Sequence, residues 1–231
     1  MKNKSFAFAI LALSTLIISC KKEQDPIPET PASTTYPNYS KLAIGNYWVY
    51  QQYDLDTLGN LTPKNNFDSC YVASDTSING TTYFKLIKPK PYVANQVEVS
   101  YLRDSLNYIV NETGKIIFSS SDTSTIFATN YYTAAPTDTL CKVVFKMDGQ
   151  ATVVSTDAGN FNTLNAQEKF YMYPNYQSAG SIRFRNYKYA ENVGLVTEVL
   201  PSLHLHHFIQ KGDWFDTMSI KKIITSKIHL K

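Results

Sequence analysis

Short runs in which apolar residues recur at every second position dominate the chain from residue 40 onward. In the segment KVVFKM at 142–147, the apolar side chains of one parity alternate with lysines of the other, as a half-buried strand requires. The same alternation predicts that Ile182 and Phe184 face the core while Arg183 and Arg185 face solvent. The pattern is typical of an antiparallel β protein.

Turn signals separate these runs. Asn79-Gly80 and Asp148-Gly149 each lie between two strand-like segments, and both dipeptides suit the positive φ angles of a type I′ hairpin. Residues 112–114 and 58–60 each contain a glycine and predict slightly longer hairpin loops. The spacing predicts about ten strands.

Helical periodicity is weak throughout the segment after residue 40. The best candidates, residues 39–44 and 164–169, are only one or two turns long. The prediction is therefore a mainly β fold, with one antiparallel domain over residues 40–231 that forms either a β-sandwich or a closed barrel. A half-barrel of the LolA type is disfavoured, because that fold wraps its sheet around long amphipathic helices.

The first nineteen residues have the organisation of a secretory signal peptide. Lys2 and Lys4 precede an uncharged, apolar run over residues 6–18, and a small residue, Ser19, follows. The run is shorter than the roughly 20 residues that a spanning helix needs. We predict cleavage after residue 19.

Ile17-Ile18-Ser19-Cys20 resembles the lipobox of bacterial lipoproteins. The resemblance implies that the Cys20 thiol receives diacylglycerol before cleavage, with palmitate-type acyl chains. More than one chain matters, because a single acyl chain gives only marginal membrane binding. The alternative is an ordinary signal peptide followed by an incidental cysteine.

Residues 20–39 are rich in proline and small polar residues, and they predict a disordered tether between the lipid and the domain. Residues 21–25, KKEQD, resemble the charged export signal of surface lipoproteins from Bacteroidota. This resemblance implies an outer-membrane lipoprotein displayed at the cell surface. The alternative is a solvated linker on a periplasm-facing lipoprotein.

The charge balance changes once the signal peptide is removed. Residues 1–19 carry two lysines and no acid, so the formal charge falls from +3 to about +1. The remaining basic residues are scattered and form no stripe that would follow a phosphate backbone. Nucleic-acid binding is therefore disfavoured, and the expected partner is the membrane, through the N-terminal lipid.

Aromatic residues are abundant, with 17 Tyr, 12 Phe and 2 Trp. Aromatic side chains suit strands because they pack on a pleated surface, so most of them are expected in the core or singly on the surface. Exposed rings are also how surface lipoproteins hold glycans. The candidates for such a platform are Trp48, Tyr50, Tyr131, Tyr132, Tyr171, Tyr173 and Trp214.

Two cysteines, Cys70 and Cys141, remain after Cys20. An even pair in an exported protein can form a disulfide, and two buried thiols are the equal alternative. His204 and His206 would share one face of a strand and are weak metal-ligand candidates, although no third ligand accompanies them. Solvated or packed histidines are favoured, and no cofactor is expected.

The chain contains no nucleophile elbow and no His-Glu zinc motif. Asp54 with Asp56, and Asp213 with Asp216, have the spacing of an acid–base pair. Both pairs border predicted turns, where aspartate commonly caps its own backbone. An enzyme is therefore disfavoured, and we assign no catalytic residue.

Four segments resemble patches of uncharacterised lipoproteins of Bacteroidota, namely SKLAIGNYWVYQQ, DTSINGTTYFKL, YLRDSLNYIVNETGKIIFSS and YAENVGLVTEVL. The resemblance implies a β-rich envelope domain and supplies no catalytic residue. Our hypothesis is a non-enzymatic interaction or structural module. The alternatives are a barrel that carries a hydrophobic ligand or lipid, and a glycan-binding or glycan-acting surface lipoprotein.

Overall fold

The computed structural model describes residues 35–56, 58–90, 96–177, 181–201 and 219–229, the last of these by backbone alone. The described residues from Tyr36 onward belong to one compact unit. Within the described ranges there are twelve strands and a single 3₁₀ turn, Pro174–Tyr176. The strands are β1 (Tyr47–Leu55), β2 (Leu61–Ile78), β3 (Thr81–Pro89), β4 (Val97–Ser105), β5 (Tyr108–Asn111), β6 (Ile116–Ser119), β7 (Ala128–Ala135), β8 (Asp138–Thr156), β9 (Gly159–Met172), β10 (Ile182–Ala190), β11 (Gly194–Pro201) and β12 (Ser219–His229).

All the strand pairs are antiparallel, and they form one continuous sheet in the order β6-β5-β4-β3-β2-β1-β12-β11-β10-β9-β8-β7. The sheet therefore consists of two six-stranded meanders, β1–β6 and β7–β12. The first and last strands join the two meanders, with Trp48 opposite Ile228 and Tyr50 opposite Ile224. The predicted single antiparallel β domain is confirmed.

The sheet curls so that its two halves pack face to face. Phe118 of β6, on the outermost strand of the first meander, packs in one core cluster with Phe145 and Met147 of β8. Its ring centroid is also 4.7 Å from that of Tyr189 on β10. These strands lie near opposite ends of the sheet order, so only strong curvature brings their inner faces together.

Of the two predicted architectures, the face-to-face packing of a sandwich describes the core better. The end strands β6 and β7 do not pair with each other in the part of the chain that the structure describes, so hydrogen bonds there do not close a barrel. No helix among the described residues is long and apolar enough to span a membrane.

Trp48 anchors the core at the junction of the meanders. Its side chain is 3% exposed, and its indole N–H donates to the carbonyl oxygen of Val193 at 2.7 Å. Gly194 follows at φ +98°, and a Cβ there would lie 3.3 Å from both the Ser40 carbonyl oxygen and the Trp48 ring. Glycine therefore permits the β10–β11 turn to approach the tryptophan.

The predicted hairpin at Asp148-Gly149 is wrong. Strand β8 runs through this dipeptide, and both its halves pair with β9 across a bulge between Met147 and Ala151. Gly149 has φ +77°, which serves the bulge, while Asp148 accepts a hydrogen bond from the Asn165 side chain at 2.6 Å. The 164–169 segment, a helix candidate, lies within β9.

The orientation predicted for β10 is also wrong. Ile182 and Phe184 are each 42% exposed, whereas Arg183 is 9% exposed. Arg185, of the same parity as Arg183, contacts Glu168 and Glu198 on the inner face. This side of β10 therefore points inward, and for Arg185 the acidic partners on the two neighbouring strands compensate for the cost of burying charge.

Candidate functional site

A cavity of about 420 Å³ lies between the inner faces of the two meanders, and we call it the central cavity. Its volume falls within the range of small-molecule sites. Apolar and charged side chains share its wall. The lining residues are Ser40, Leu42, Trp48, Tyr50, Asp68, Cys70, Leu86, Lys88, Pro89, Glu98, Ser100, Leu102, Ile109, Asn111, Lys115, Ile117, Tyr132, Phe145, Glu168, Arg185, Tyr187, Tyr189, Leu195 and Glu198.

Arg185 connects two carboxylates in this wall. Its Nη2 donates to Glu198 Oε1 at 3.1 Å, and its Nη1 lies 3.6 Å from Glu168 Oε2. Glu168 is directly opposite Arg185 in the β9–β10 register, while Glu198 is opposite Tyr187 on β11. Three adjacent strands thus present one ion cluster to the cavity.

Burial and charge act in opposite directions on the arginine. Burial lowers the pKa of Arg185, but Tyr187, Glu198 and Glu168 together raise that pKa above its ordinary value. The guanidinium carbon also lies 4.9 Å from the centre of the Tyr187 ring. The guanidinium of Arg185 is thus held in its charged form.

Three buried tyrosines of the cavity wall, Tyr50, Tyr187 and Tyr189, keep their protons at any physiological pH. Burial raises the pKa of Tyr187 and of Tyr50 well above the usual range, and it also raises that of Tyr189. The Tyr50 hydroxyl donates to the Leu195 carbonyl oxygen at 2.8 Å. These phenols are neutral hydrogen-bonding groups rather than bases.

The first meander adds further polar groups to the same cavity. Asp68, opposite Tyr50 in the β1–β2 register, accepts a hydrogen bond from the Gln52 side chain at 2.8 Å. Lys88 Nζ lies 3.6 Å from Glu98 Oε2 on the neighbouring strand. Within the described side chains, the wall therefore has more carboxylates than cationic groups.

The pair Asp54 and Asp56 does not form a catalytic dyad. Asp54 makes an ion pair with Lys64 at 2.8 Å. Asp56 accepts hydrogen bonds from the backbone N–H groups of Leu58 and Asn60, as a turn-capping residue does. Asp213 and Asp216 lie outside the described residues.

The aromatic candidates separate into two groups. Trp48 and Tyr50 are buried and line the central cavity, which the exposed Tyr132 also borders. Four others are exposed to between 38% and 59%, namely Tyr131, Tyr132, Tyr171 and Tyr173. Trp214 lies outside the described residues.

Cys70 and Cys141 are buried thiols in two different core clusters, so the disulfide is not the arrangement found in the structure. Cys20, His204 and His206 lie outside the described residues, and their predicted roles stay predictions. The described part of the chain contains no group of three or more metal-capable side chains.

Sequence reasoning did not find Glu168, Arg185 or Glu198 as a site. Each lies in a strand-like segment that contains other polar residues, so none of the three stands out from its sequence neighbours. The available signal was the pair of arginines two positions apart in one predicted strand. Burying an arginine is costly, so acidic residues on nearby strands would have indicated a buried ion cluster there. Identifying those acids requires the strand register.

No protein-family model matches this chain, and no curated protein matches it significantly. Two solved structures are similar in fold. A predicted lipoprotein from Parabacteroides distasonis aligns over 85% of this chain and 100% of its own, with TM-score 0.46 and 11% identity. A predicted exported protein with a YmcC-like fold from Bacteroides fragilis aligns over 84% and 98%, with TM-score 0.43 and 11% identity. Similarity this low carries no functional assignment.

Proposed function

We propose that this protein is an outer-membrane lipoprotein, anchored through Cys20, that binds a small polar molecule in its central cavity without transforming it. The observation that carries the proposal is the cavity of about 420 Å³ with the Glu168–Arg185–Glu198 cluster in its wall. The lipobox and export-signal resemblances support the anchor and surface display.

The chemistry of the wall favours a ligand rich in hydroxyl or amino donors. The carboxylates of Asp68, Glu168 and Glu198 are hydrogen-bond acceptors, whereas the rings of Trp48 and Tyr187 offer apolar faces. A saccharide or amino sugar of one or two rings combines both properties. A purely apolar ligand would cover carboxylates without hydrogen-bonding them, which is unfavourable.

Binding without catalysis fits the ion cluster. Cleavage of a glycosidic bond needs one protonated carboxyl group as the acid. Glu168 and Glu198 both contact the guanidinium of Arg185, so each carboxylate is already engaged in an ion pair within the wall. The arrangement therefore suits recognition better than proton transfer.

The test is equilibrium dialysis of the full-length protein in phosphatidylcholine nanodiscs against radiolabelled glucosamine, N-acetylglucosamine and galactose. Ser100 lines the cavity, so we expect Ser100→Trp to fill it and weaken binding at least about tenfold. The matched control is Val99→Trp on the same strand, because Val99 is 43% exposed and does not line the cavity.

Radiolabelled palmitate is the contrasting probe. Palmitate binding that Ser100→Trp abolishes and Val99→Trp preserves, without sugar binding, would replace the proposal by the hydrophobic carrier. If neither the sugars nor palmitate bind, the cavity proposal is wrong and the hypothesis of an interaction or structural module remains. The anchor is tested separately: Cys20→Ala protein that still enters the detergent phase would contradict lipidation.

A further inference from the structure

A second concave surface lies on the outer face of the sheet, over strands β8 and β9 of the second meander. This outer trough has a volume of about 620 Å³. It is lined by Ser124, Ile126, Lys142, Val144, Lys146, Tyr171, Met172, Tyr173 and Pro174. It shares no lining residue with the central cavity, so it constitutes a separate candidate site.

The outer trough is positively charged. Lys142 and Lys146 flank Val144 along β8, and Lys169 lies directly opposite Val144 on β9. No Asp or Glu is among the described side chains that line the trough. Positive charge without acidic partners on a concave surface attracts anions.

Exposed rings border the same lysines. Tyr171, Tyr173 and Phe184 are 38%, 41% and 42% exposed, which is high for aromatic residues in or beside a sheet. Lys169 Nζ lies 5.0 Å from the Tyr171 ring centre and 5.7 Å from that of Phe184. The strand register explains this contact, because Phe184 is opposite Lys169 and Ile182 is opposite Tyr171.

We propose that the outer trough binds an acidic polysaccharide. The anionic groups of the sugar chain would contact Lys142, Lys146 and Lys169, while the apolar faces of its rings would stack on Tyr171 and Tyr173. A concave trough suits an extended polymer better than a flat bilayer. The exposed rings beside the lysines favour a sugar chain over a polyanion that is recognised by charge alone.

The primary experiment measures binding of polygalacturonate to the full-length protein in phosphatidylcholine nanodiscs, with neutral dextran as the comparison polymer. We expect polygalacturonate to bind, dextran not to bind, and the affinity to fall as salt is raised, since salt screens exposed charges. Polygalacturonate that does not bind at low salt would overturn the proposal.

Two variants locate the surface. Lys142→Gln combined with Lys146→Gln should weaken binding about tenfold, and Tyr171→Thr should weaken it severalfold while keeping a residue that suits a strand. Lys85→Gln on β3 is the matched control and should have no effect. Equal affinities for all four proteins would contradict the proposal, provided that their thermal unfolding is unchanged.

Two further probes separate other classes of partner. Polyglutamate that binds as tightly as polygalacturonate would show that charge alone acts and would refute sugar recognition. Vesicles containing phosphatidylglycerol that bind through the same lysines, more tightly than the polysaccharide, would make the trough a membrane surface. Ser100→Trp should leave polygalacturonate binding intact, so failure of the cavity proposal and failure of this one are distinguishable.

Discussion

Arg185 Nη2 lies 3.1 Å from Glu198 Oε1, and the glutamate side chain is only 4% accessible. These residues are on adjacent strands, β10 and β11, at diagonal positions of the register. Because a charge buried this far needs a compensating partner, the pair ties the central cavity to the stability of the fold.

Removal of the arginine should therefore be costly. Arg185→Met leaves Glu168 and Glu198 without the guanidinium that they share, and we expect a loss of about 3 kcal/mol in the free energy of unfolding. Urea denaturation monitored by circular dichroism measures it. Lys64→Met removes an ion pair whose side chains are 39% and 29% accessible, so it should cost less than about 1 kcal/mol. Equal losses of unfolding free energy in the two variants would contradict the inference that burial makes the Arg185 ion pairs more important than the exposed pair.

Asp104 should make stability depend on pH in an unusual direction. Burial raises the pKa of Asp104, and the hydrogen bond from the Ser40 hydroxyl at 2.7 Å offsets this only in part. A carboxyl with a raised pKa in the folded state contributes stability below its ordinary pKa of 3.8 and loses it as pH rises through the folded-state value. Asp104→Asn should therefore raise the melting temperature at pH 7 and leave it unchanged near pH 3.

Asp122 supplies the control of opposite sign. Backbone and side-chain hydrogen bonds from Thr125 lower the pKa of Asp122, so its contribution is present at neutral pH and is lost as pH falls. Asp122→Asn should lower the melting temperature at pH 7, and the difference should shrink in acid. The same pH trend for both variants would refute the assignment.

Gly194 should tolerate no side chain. Gly194→Ala introduces a Cβ 3.3 Å from the Trp48 ring at φ +98°, and we expect a loss of about 2 kcal/mol. Gly59→Ala is the matched control, because Gly59 has φ +87° but nothing within 4 Å of the added carbon. Both glycines have positive φ, so backbone strain should affect both variants. A larger loss of thermal stability in Gly194→Ala than in Gly59→Ala therefore measures the contact with the tryptophan.

Thiol titration tests the cysteine assignment. Cys141 is fully buried, and burial raises the pKa of its thiol, so it should react slowly with Ellman's reagent in the native protein. Under non-reducing denaturation, both Cys70 and Cys141 should react in protein purified from the envelope. Absence of both signals would show a disulfide.

Local signals predicted those parts of the fold that depend on neighbouring residues. Asn79-Gly80 forms the β2–β3 turn with φ angles of 50° and 76°, because this dipeptide suits left-handed backbone wherever it occurs. Asp148-Gly149 carries the same local signal but forms a bulge within β8, since the pairing of both halves with β9 and the contact with Asn165 override it. Strand pairing in the folded structure therefore determines whether such a dipeptide forms a hairpin turn or a bulge.

The Glu168–Arg185–Glu198 cluster could not be predicted from the alternation of apolar and polar residues, because it depends on which strands pair. A strand with two apolar and two basic positions normally buries the apolar ones, yet β10 buries Arg183 and exposes Phe184. The reversal follows from Glu168 and Glu198, which lie 17 positions before and 13 after Arg185 and meet it only through pairing. The same reversal exposes the Phe184 ring beside the outer trough, so one wrong orientation concealed residues of both candidate sites.

Pairing of β1 with β12 also constrains how the protein reaches its native state. Each meander connects consecutive strands and can assemble from local contacts, whereas their junction joins residues 47–55 to residues 219–229. Until that junction forms, both halves carry unsatisfied strand edges that can recruit other chains. Completion of the sheet must therefore wait until β12 is available to pair with β1, and the two half-sheets are most vulnerable to association with other chains in that interval.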